Sequence, residues 1–313
     1  MSPYAAHEFD PDSRNNSWAN LVNFIPEGAR VLDVGCSTGN LGAALIRYKG
    51  CTVVGVDTNE ADVVVARDIL SDARVLDITG PLPEDLLERF DVVVFADVLE
   101  HLPDPRAALR SITRALVPSG VVVYSIPNMG HMSTRLDLLS GIFPYTETGL
   151  LDRTHLHFYD RVEVDDMFHD AGYSILDENP VVVQYPDSWL TDRLDQLGLM
   201  PRQEFFGHMR DTEAQVFQYV GIARPGAHAD DRVEHLRTRV MPNDEIIGYV
   251  LAVIDEKEKA EERARVTTAQ LVAAQNEAAH FEELANFTYQ HPIRALGSRI
   301  IRPIQNRIRG RDR

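Results

Sequence analysis

The chain has 313 residues, of which 44% are hydrophobic and 25% are charged, as is ordinary for a globular protein with a sizeable core. Its net charge of −17 argues against a nucleic-acid substrate, because such binding depends on neutralising phosphates. No apolar run reaches the roughly 18–20 residues of a membrane span, and the polar N-terminus lacks a signal-peptide pattern. The two cysteines, Cys36 and Cys51, lack metal-ligand spacing, so we expect a cytoplasmic protein.

Short β-branched segments alternate with helical segments from residue 30 onward, which is typical of a parallel sheet covered by helices on both faces. The first five predicted strands are residues 30–34, 52–57, 74–76, 91–96 and 121–126. The predicted helices among them are residues 41–48, 61–70, 83–88 and 105–116. A helix over 162–171 and a final pair of strands over 174–185 and 216–223 complete a predicted α/β domain.

Composition divides the chain into three predicted parts. Residues 1–29 form an N-terminal arm or lid, and residues 30–225 form the α/β domain, with an insertion at 187–212. Residues 226–313 form a helical extension, because a stretch rich in Ala and Glu follows a change of composition. Its weak heptad seam favours a coiled coil and a homo-oligomer through residues 244–290.

The end of the chain has its own charge pattern. Residues 293–313 contain seven arginines, with Ile and Leu at i, i+3 and i+4 spacings. A basic amphipathic helix of this kind favours peripheral contact with an anionic membrane surface. A solvated or oligomer-packed terminus is the alternative.

A glycine-rich turn lies between the first predicted strand and the helix that follows it, in the sequence VLDVGCSTGNLG at residues 31–42. Gly35 and Gly39 permit a tight turn whose backbone N–H groups face a ligand. A dinucleotide fingerprint needs a glycine where Ser37 stands, because the pyrophosphate approaches the backbone closely. S-adenosylmethionine (SAM) has no pyrophosphate, so Ser37 favours SAM over a dinucleotide.

Acidic residues at strand ends complete the predicted cofactor site. Asp33 either orients the turn or reaches the methionine amino group of SAM. Asp57, 22 residues after Gly35, is predicted to accept hydrogen bonds from both ribose hydroxyls. Asp77 either accepts from the adenine amino group or caps its own loop, and Ile78 would pack on the ring. The predicted cofactor-binding residues are Asp33, Gly35, Cys36, Ser37, Gly39, Asp57, Thr58, Asp77, Ile78, Ala96 and Asp97.

The sequence resembles the class I SAM-dependent methyltransferases over about residues 18–225. The resemblance rests on the glycine turn, on GVD at 55–57, on FDVVVFADVLEHLPDP at 90–105 and on SGVVVYSIPN at 119–128. It implies a Rossmann-like seven-stranded sheet with an antiparallel last strand, and SAM as the cofactor. The segment GLLDRTHLHFYD at 149–160 is similar to enzymes encoded among bacterial surface-polysaccharide glycosyltransferases. This similarity implies polysaccharide biosynthesis and a sugar or glycan acceptor.

Methyl transfer to a hydroxyl needs a group that removes or acidifies its proton. His101 follows the fourth strand, while His155 and His157 alternate and would share one side of an extended strand. These three histidines are the predicted catalytic residues, and a packing role over SAM is the alternative for His101. Similar E-x-x-E-H sets bind a divalent metal in the small-RNA 3′-terminal 2′-O-methyltransferases.

That second resemblance implies a metal such as Mg²⁺ on Glu100, His101 and His155, although Asp97 replaces the first glutamate.

Three functions are compatible with the sequence. The first is an O-methyltransferase acting on a sugar of a cell-surface glycan or glycolipid, which the histidine-rich segment favours. The second is an O-methyltransferase of a small phenolic or quinone-like metabolite. The third is a non-catalytic scaffold that keeps the fold.

Overall fold

The computed structural model of the protein describes residues 15–210 and 212–226. The predicted coiled coil, the basic tail and most of the N-terminal arm lie outside these residues. No helix in the described part of the chain is both long and apolar enough to cross a membrane.

An eight-stranded mixed sheet forms the centre of the domain. Its order is β3-β2-β1-β4-β5-β8-β6, and β7 pairs with β8. Strands β1 to β5 are parallel, whereas β8 runs antiparallel to β5, β6 and β7. The strands are β1 (Arg30–Val34), β2 (Thr52–Asp57), β3 (Asp72–Val75), β4 (Phe90–Ala96), β5 (Leu116–Pro127), β6 (Tyr173–Glu178), β7 (Val181–Val182) and β8 (Val216–Pro225). The predicted Rossmann-like α/β sheet with an antiparallel last strand is therefore confirmed, but it has eight strands where seven are predicted.

Two predicted elements differ from the structure in kind or number, and others differ only in their bounds, such as the helix predicted over 105–116, which ends at Ile112. The strand predicted over 174–185 is two strands, β6 and β7, because Asn179 and Pro180 interrupt it and proline cannot donate to the ladder. The helix predicted over 83–88 is a single 3₁₀ turn, Glu84–Leu86, in a segment that Pro81 and Pro83 precede.

Nine α-helices lie in the described part of the chain. They are α1 (Ser17–Phe24), α2 (Asn40–Lys49), α3 (Glu60–Ala66), α4 (Pro105–Ile112), α5 (Met132–Leu139), α6 (Arg161–Asp170), α7 (Asp187–Asp195), α8 (Gln203–Met209) and α9 (Thr212–Gln215). Polar side chains cap several of these helices at their N-termini; for example, Asn59 accepts from two backbone N–H groups at the start of α3.

Alternating residues of the strands pack into two separate cores. Leu32, Val93 and Val122 belong to a core that includes residues of α4 and α6. Val31, Val92 and Val121, their neighbours in sequence, belong to a core that includes residues of α1, α2 and α3. Because successive side chains of a strand point to opposite faces, the sheet is covered on both sides, as predicted.

A third, smaller core lies beyond the main sheet, where α5 packs against α7. Met132 and Leu136 of α5 cluster there with Leu190 and Leu194 of α7. The predicted insertion at 187–212 therefore packs together with the segment that follows β5, in a core separate from the two main ones.

Gly55 provides a test of the packing beneath the glycine turn. A Cβ atom at this position would lie 2.6 Å from Cys36 Sγ and 2.6 Å from Leu70 Cδ1. We expect Gly55→Ala to lower the free energy of unfolding by about 1–3 kcal/mol, because the core has no room for a methyl group. Gly207→Ala in α8 is the control, since no atom lies within 4 Å of its added Cβ. Denaturant unfolding measures both variants, and equal stability of Gly55→Ala and wild type would contradict this packing.

Candidate active site

The glycine turn after β1 is held against the neighbouring strand β2. The backbone N–H groups of Gly35 and Cys36 both donate to the carbonyl of Val56, at 2.8 and 3.1 Å. Gly35 has a φ of +72°, and a Cβ there would lie 2.6 Å from Val98 Cγ2. Only glycine meets both conditions, so the turn follows directly from the sequence.

A cavity of about 530 Å³ opens at the carboxyl ends of β1, β2 and β4. All the predicted cofactor-binding residues line it except Gly39, which directly precedes α2 in a left-handed conformation beside Leu70. Sequence reasoning missed several lining residues, including two inside the 90–105 motif. They include Asn59, Asp62, Leu76, Val98 and Leu102. Trp18 also lines the cavity. It lies in α1, within the predicted N-terminal arm.

Asp33 is a buried carboxylate beside this cavity. Its Oδ2 has no hydrogen-bond partner among residues 15–210 and 212–226. Burial and the nearby negative charge of Asp57 raise the pKa of Asp33 to about 7. An unpaired carboxylate in such a place favours a cationic ligand, and the methionine ammonium of SAM is one.

Asp57, at the end of β2, connects two loops. Its Oδ2 accepts a hydrogen bond from the backbone N–H of Ser37 at 2.8 Å, and its Oδ1 accepts from that of Asn59 at 2.8 Å. A carboxylate has about four lone-pair sites, so both oxygens keep capacity for ribose hydroxyls. Asp57 therefore also holds the shape of the glycine turn.

Asp77 makes local contacts that fit the capping alternative. Its Oδ1 accepts from the backbone N–H and from the hydroxyl of Thr79, at 2.9 and 2.7 Å. These two bonds hold the pKa of Asp77 below its usual value. Asp77 and the buried Ile78 both line the cavity, beside β3.

Asp97 follows β4 with a φ of +54°, an uncommon conformation for a residue other than glycine. Its Oδ1 accepts from the hydroxyl of Ser125 at 2.8 Å and from the amide of Gln218. These bonds tie Asp97 to β5 and β8, so the chain turns sharply into the 3₁₀ segment Leu99–His101.

Glu100, His101 and His155 come together next to the cavity that His101 lines. One possible ligand atom from each lies within 4.8 Å of the others. Both carboxylate oxygens of Glu100 are buried and lack a hydrogen-bond partner in the described residues. Burial and the negative charge of Asp97 raise the pKa of Glu100 well above its usual value. Burial lowers the pKa of His155, so its imidazole is neutral at physiological pH and available as a ligand.

His157 does not join this cluster. Its Nε2 lies 3.4 Å from the carbonyl of Pro103, and its ring lies beside Tyr159. The prediction that His155 and His157 share one side of an extended strand is wrong, because residues 151–158 form turns and irregular backbone and no strand. Turns have no two-residue repeat, so alternation in the sequence does not carry over to the structure.

Residues 12–178, slightly more than half of the chain, match the model of a family described as "Methyltransferase domain". The chain belongs to this family. By family, it is a SAM-dependent methyltransferase. The match covers the glycine turn, Asp57 and the Glu100 cluster.

Curated relatives match a shorter stretch of the methyltransferase. The "Ubiquinone biosynthesis O-methyltransferase" of Pseudomonas entomophila (strain L48) is 39% identical over 117 residues, which cover 34% of this chain and 50% of that protein. The protein of the same name from Pseudomonas putida (strain GB-1) is 40% identical over 117 residues, with the same coverage. The chain thus spans about half the length of the curated relatives it matches.

Solved structures of similar fold have low sequence identity to the methyltransferase. A methyltransferase of Haloferax volcanii, solved with the Trm112 methyltransferase activator, is 18% identical, with a TM-score of 0.47 over 67% of this chain and 89% of that chain. A TehB-like SAM-dependent methyltransferase from Corynebacterium glutamicum is 20% identical, with a TM-score of 0.42 over 67% and 87%.

Asp33 gives the cofactor site a testable pH dependence. Below pH 7 its carboxylate takes up a proton and loses its attraction for the ammonium of the ligand, so affinity for S-adenosylhomocysteine should fall as pH falls through about 7. We expect Asp33→Asn to bind at least about tenfold more weakly at pH 8, which is roughly 1.4 kcal/mol, and to lose this pH dependence.

Calorimetric titration at several pH values measures both effects. Asp85→Asn is the control, because Asp85 is exposed and lies outside the residues that line the cavity. Equal affinities of Asp33→Asn and wild type would contradict the role of Asp33.

Proposed function

We propose that this methyltransferase transfers the methyl group of SAM to a hydroxyl of a small phenolic or quinone-like acceptor, assisted by a divalent cation on Glu100, His101 and His155. The observation that carries this proposal is the Glu100 carboxylate. Both of its oxygens are buried without a hydrogen-bond donor in the described residues, and two imidazoles lie beside it. Buried charges are normally paired or coordinate metals, so this set fits a cation.

The donor set favours some cations over others. Two imidazole nitrogens and one carboxylate suit Zn²⁺ or Mn²⁺ better than Mg²⁺, which prefers oxygen ligands. The Mg²⁺ named from the sequence is therefore the weaker candidate. A cation bound here would lower the pKa of an acceptor hydroxyl and so favour the nucleophilic oxyanion.

A histidine base without a metal is the competing mechanism. It would use Glu100 to orient His155, as carboxylates orient catalytic histidines elsewhere. The distance between His155 Nε2 and Glu100 Oε1 is 4.0 Å, too long for a hydrogen bond. The gap between the two groups instead leaves room for a shared ligand, which favours a cation.

The residues of the chain supply the other requirements of an in-line displacement. SAM supplies an electrophilic methyl group when bound, and Asp33 and Asp57 would hold its amino acid and ribose ends. The buried Ile78 and the partly buried Val98 and Leu102 would exclude water from one wall of the cavity. Water exclusion and alignment together accelerate methyl transfer to a positioned oxygen.

Two observations favour a phenolic acceptor over the sugar expected from the sequence. The curated relatives are named for ubiquinone biosynthesis. That name describes those proteins, and for this chain it supports an acceptor with a phenolic or quinone-like ring. The second observation is an aromatic group beside the cluster, with Phe158 next to His155 and Phe143 next to Phe158, at centroid distances of 6.1 and 5.5 Å.

An acceptor panel tests the proposal directly. With purified full-length protein and labelled SAM, we expect turnover with dihydroxybenzene acceptors that carry an apolar substituent, and none with free or lipid-linked sugars. Chelation should lower that turnover by about 100-fold or more, and Zn²⁺ or Mn²⁺ should restore it, because the hydroxyl loses its acidifying group. Transfer to sugars alone would contradict the proposed acceptor. Turnover that resists chelation would contradict the proposed cation.

A further inference from the structure

Thr154 connects His101 to a buried carboxylate. The Nδ1 atom of His101 lies 3.1 Å from the carbonyl oxygen of Thr154 and 3.2 Å from its hydroxyl oxygen. The same hydroxyl lies 2.6 Å from Asp152 Oδ1, and the backbone N–H of Thr154 donates to that oxygen at 2.8 Å. Asp152 is only 3% exposed.

The single hydrogen of the Thr154 hydroxyl decides which groups donate. At 2.6 Å from a carboxylate oxygen, the hydroxyl must donate to Asp152, because two acceptors would repel each other at that distance. It therefore has only lone pairs to offer His101, and the carbonyl of Thr154 is also an acceptor. Two acceptors at Nδ1 require that this nitrogen carries a proton.

We propose that Asp152 and Thr154 are positioning residues that hold His101 in its Nδ1–H tautomer and leave Nε2 with a free lone pair. This inference rests on the proposed function, because a lone pair on Nε2 is what a cation at Glu100, His101 and His155 needs. Metal-binding histidines generally donate from the other ring nitrogen to a carbonyl or carboxylate, which fixes ring orientation. Thr154 provides that acceptor here.

The same short turn also carries the second imidazole. The backbone N–H of His155 donates to the carbonyl of Asp152 at 3.2 Å, and the N–H of Asp152 donates to Gly149 at 3.2 Å. The backbone N–H groups of Leu156 and His157 both donate to the carbonyl of Glu100, at 2.9 and 3.1 Å. The turn is therefore fastened directly to the segment that carries the other two ligands.

The tautomer can be measured on the cation-free protein. Two-bond ¹⁵N–¹H correlation spectra at about pH 8, where an ordinary imidazole is neutral, distinguish the two tautomers of His101. The His101 signals are assigned with His101→Gln. We expect the Nδ1–H tautomer in wild type and in Thr154→Ser, which keeps the hydroxyl. An Nε2–H tautomer in wild type would overturn the proposal.

Cation affinity tests the positioning role. Thr154→Val keeps the size of the side chain but removes the hydroxyl, which is one of the two acceptors at His101 Nδ1 and the link to Asp152. The backbone carbonyl then holds the ring alone and less firmly, so we expect the Zn²⁺ affinity to fall about tenfold or more. Thr154→Ser should stay within about threefold of wild type, and the affinity for S-adenosylhomocysteine should remain unchanged in both. Wild-type Zn²⁺ affinity in Thr154→Val would overturn the proposal.

Glu100→Gln separates this inference from the proposed function. If wild type and Glu100→Gln bind Zn²⁺ equally weakly, the proposal of a cation site at Glu100 is wrong. The spectra then decide the tautomer alone: Nδ1–H supports the Asp152–Thr154 contact, and Nε2–H overturns it.

Discussion

The position of β1 between β2 and β4 determines where the functional groups of this methyltransferase lie. The chain moves outward from β1 through β2 to β3, then returns to place β4 on the other side of β1. The loops after β1 and β4 therefore diverge, and a crevice opens at the carboxyl edge of the sheet. The first loop carries the glycine turn, and the second carries Glu100 and His101. The predicted cofactor site and the Glu100 cluster thus lie side by side because of strand order.

This crevice contains two carboxylates that are costly to bury. Asp33 and Glu100 each have an oxygen without a hydrogen-bond partner in the described part of the chain, and burial raises the pKa of both. A buried carboxyl without a partner resists ionisation, which is why its pKa is raised, and keeping it charged costs free energy. Cationic ligands offset this cost. The ammonium of SAM would do so at Asp33, and the proposed divalent cation would do so at Glu100.

The sequence predicted well those features that depend on nearby residues. Gly35, Ser37 and Asp57 belong to one strand–turn–helix–strand unit, so their spacing alone indicated the cofactor site. Glu100 and His155 are 55 residues apart, and only the packing of an aperiodic segment brings them together. His157 was misplaced because alternation has meaning only in a strand. The role of Thr154 had no sequence signal, since it depends on which way one hydroxyl donates.

Anomalous X-ray diffraction of crystals grown with S-adenosylhomocysteine and Zn²⁺ tests the central claim most directly. Data on both sides of the zinc absorption edge locate the ion without reference to activity. A peak bonded to Glu100, His101 Nε2 and His155, next to the sulfur of the bound product, is the expected result. Zinc found only elsewhere, or a hydrogen bond from His101 or His155 to Glu100 in place of the ion, would contradict the claim.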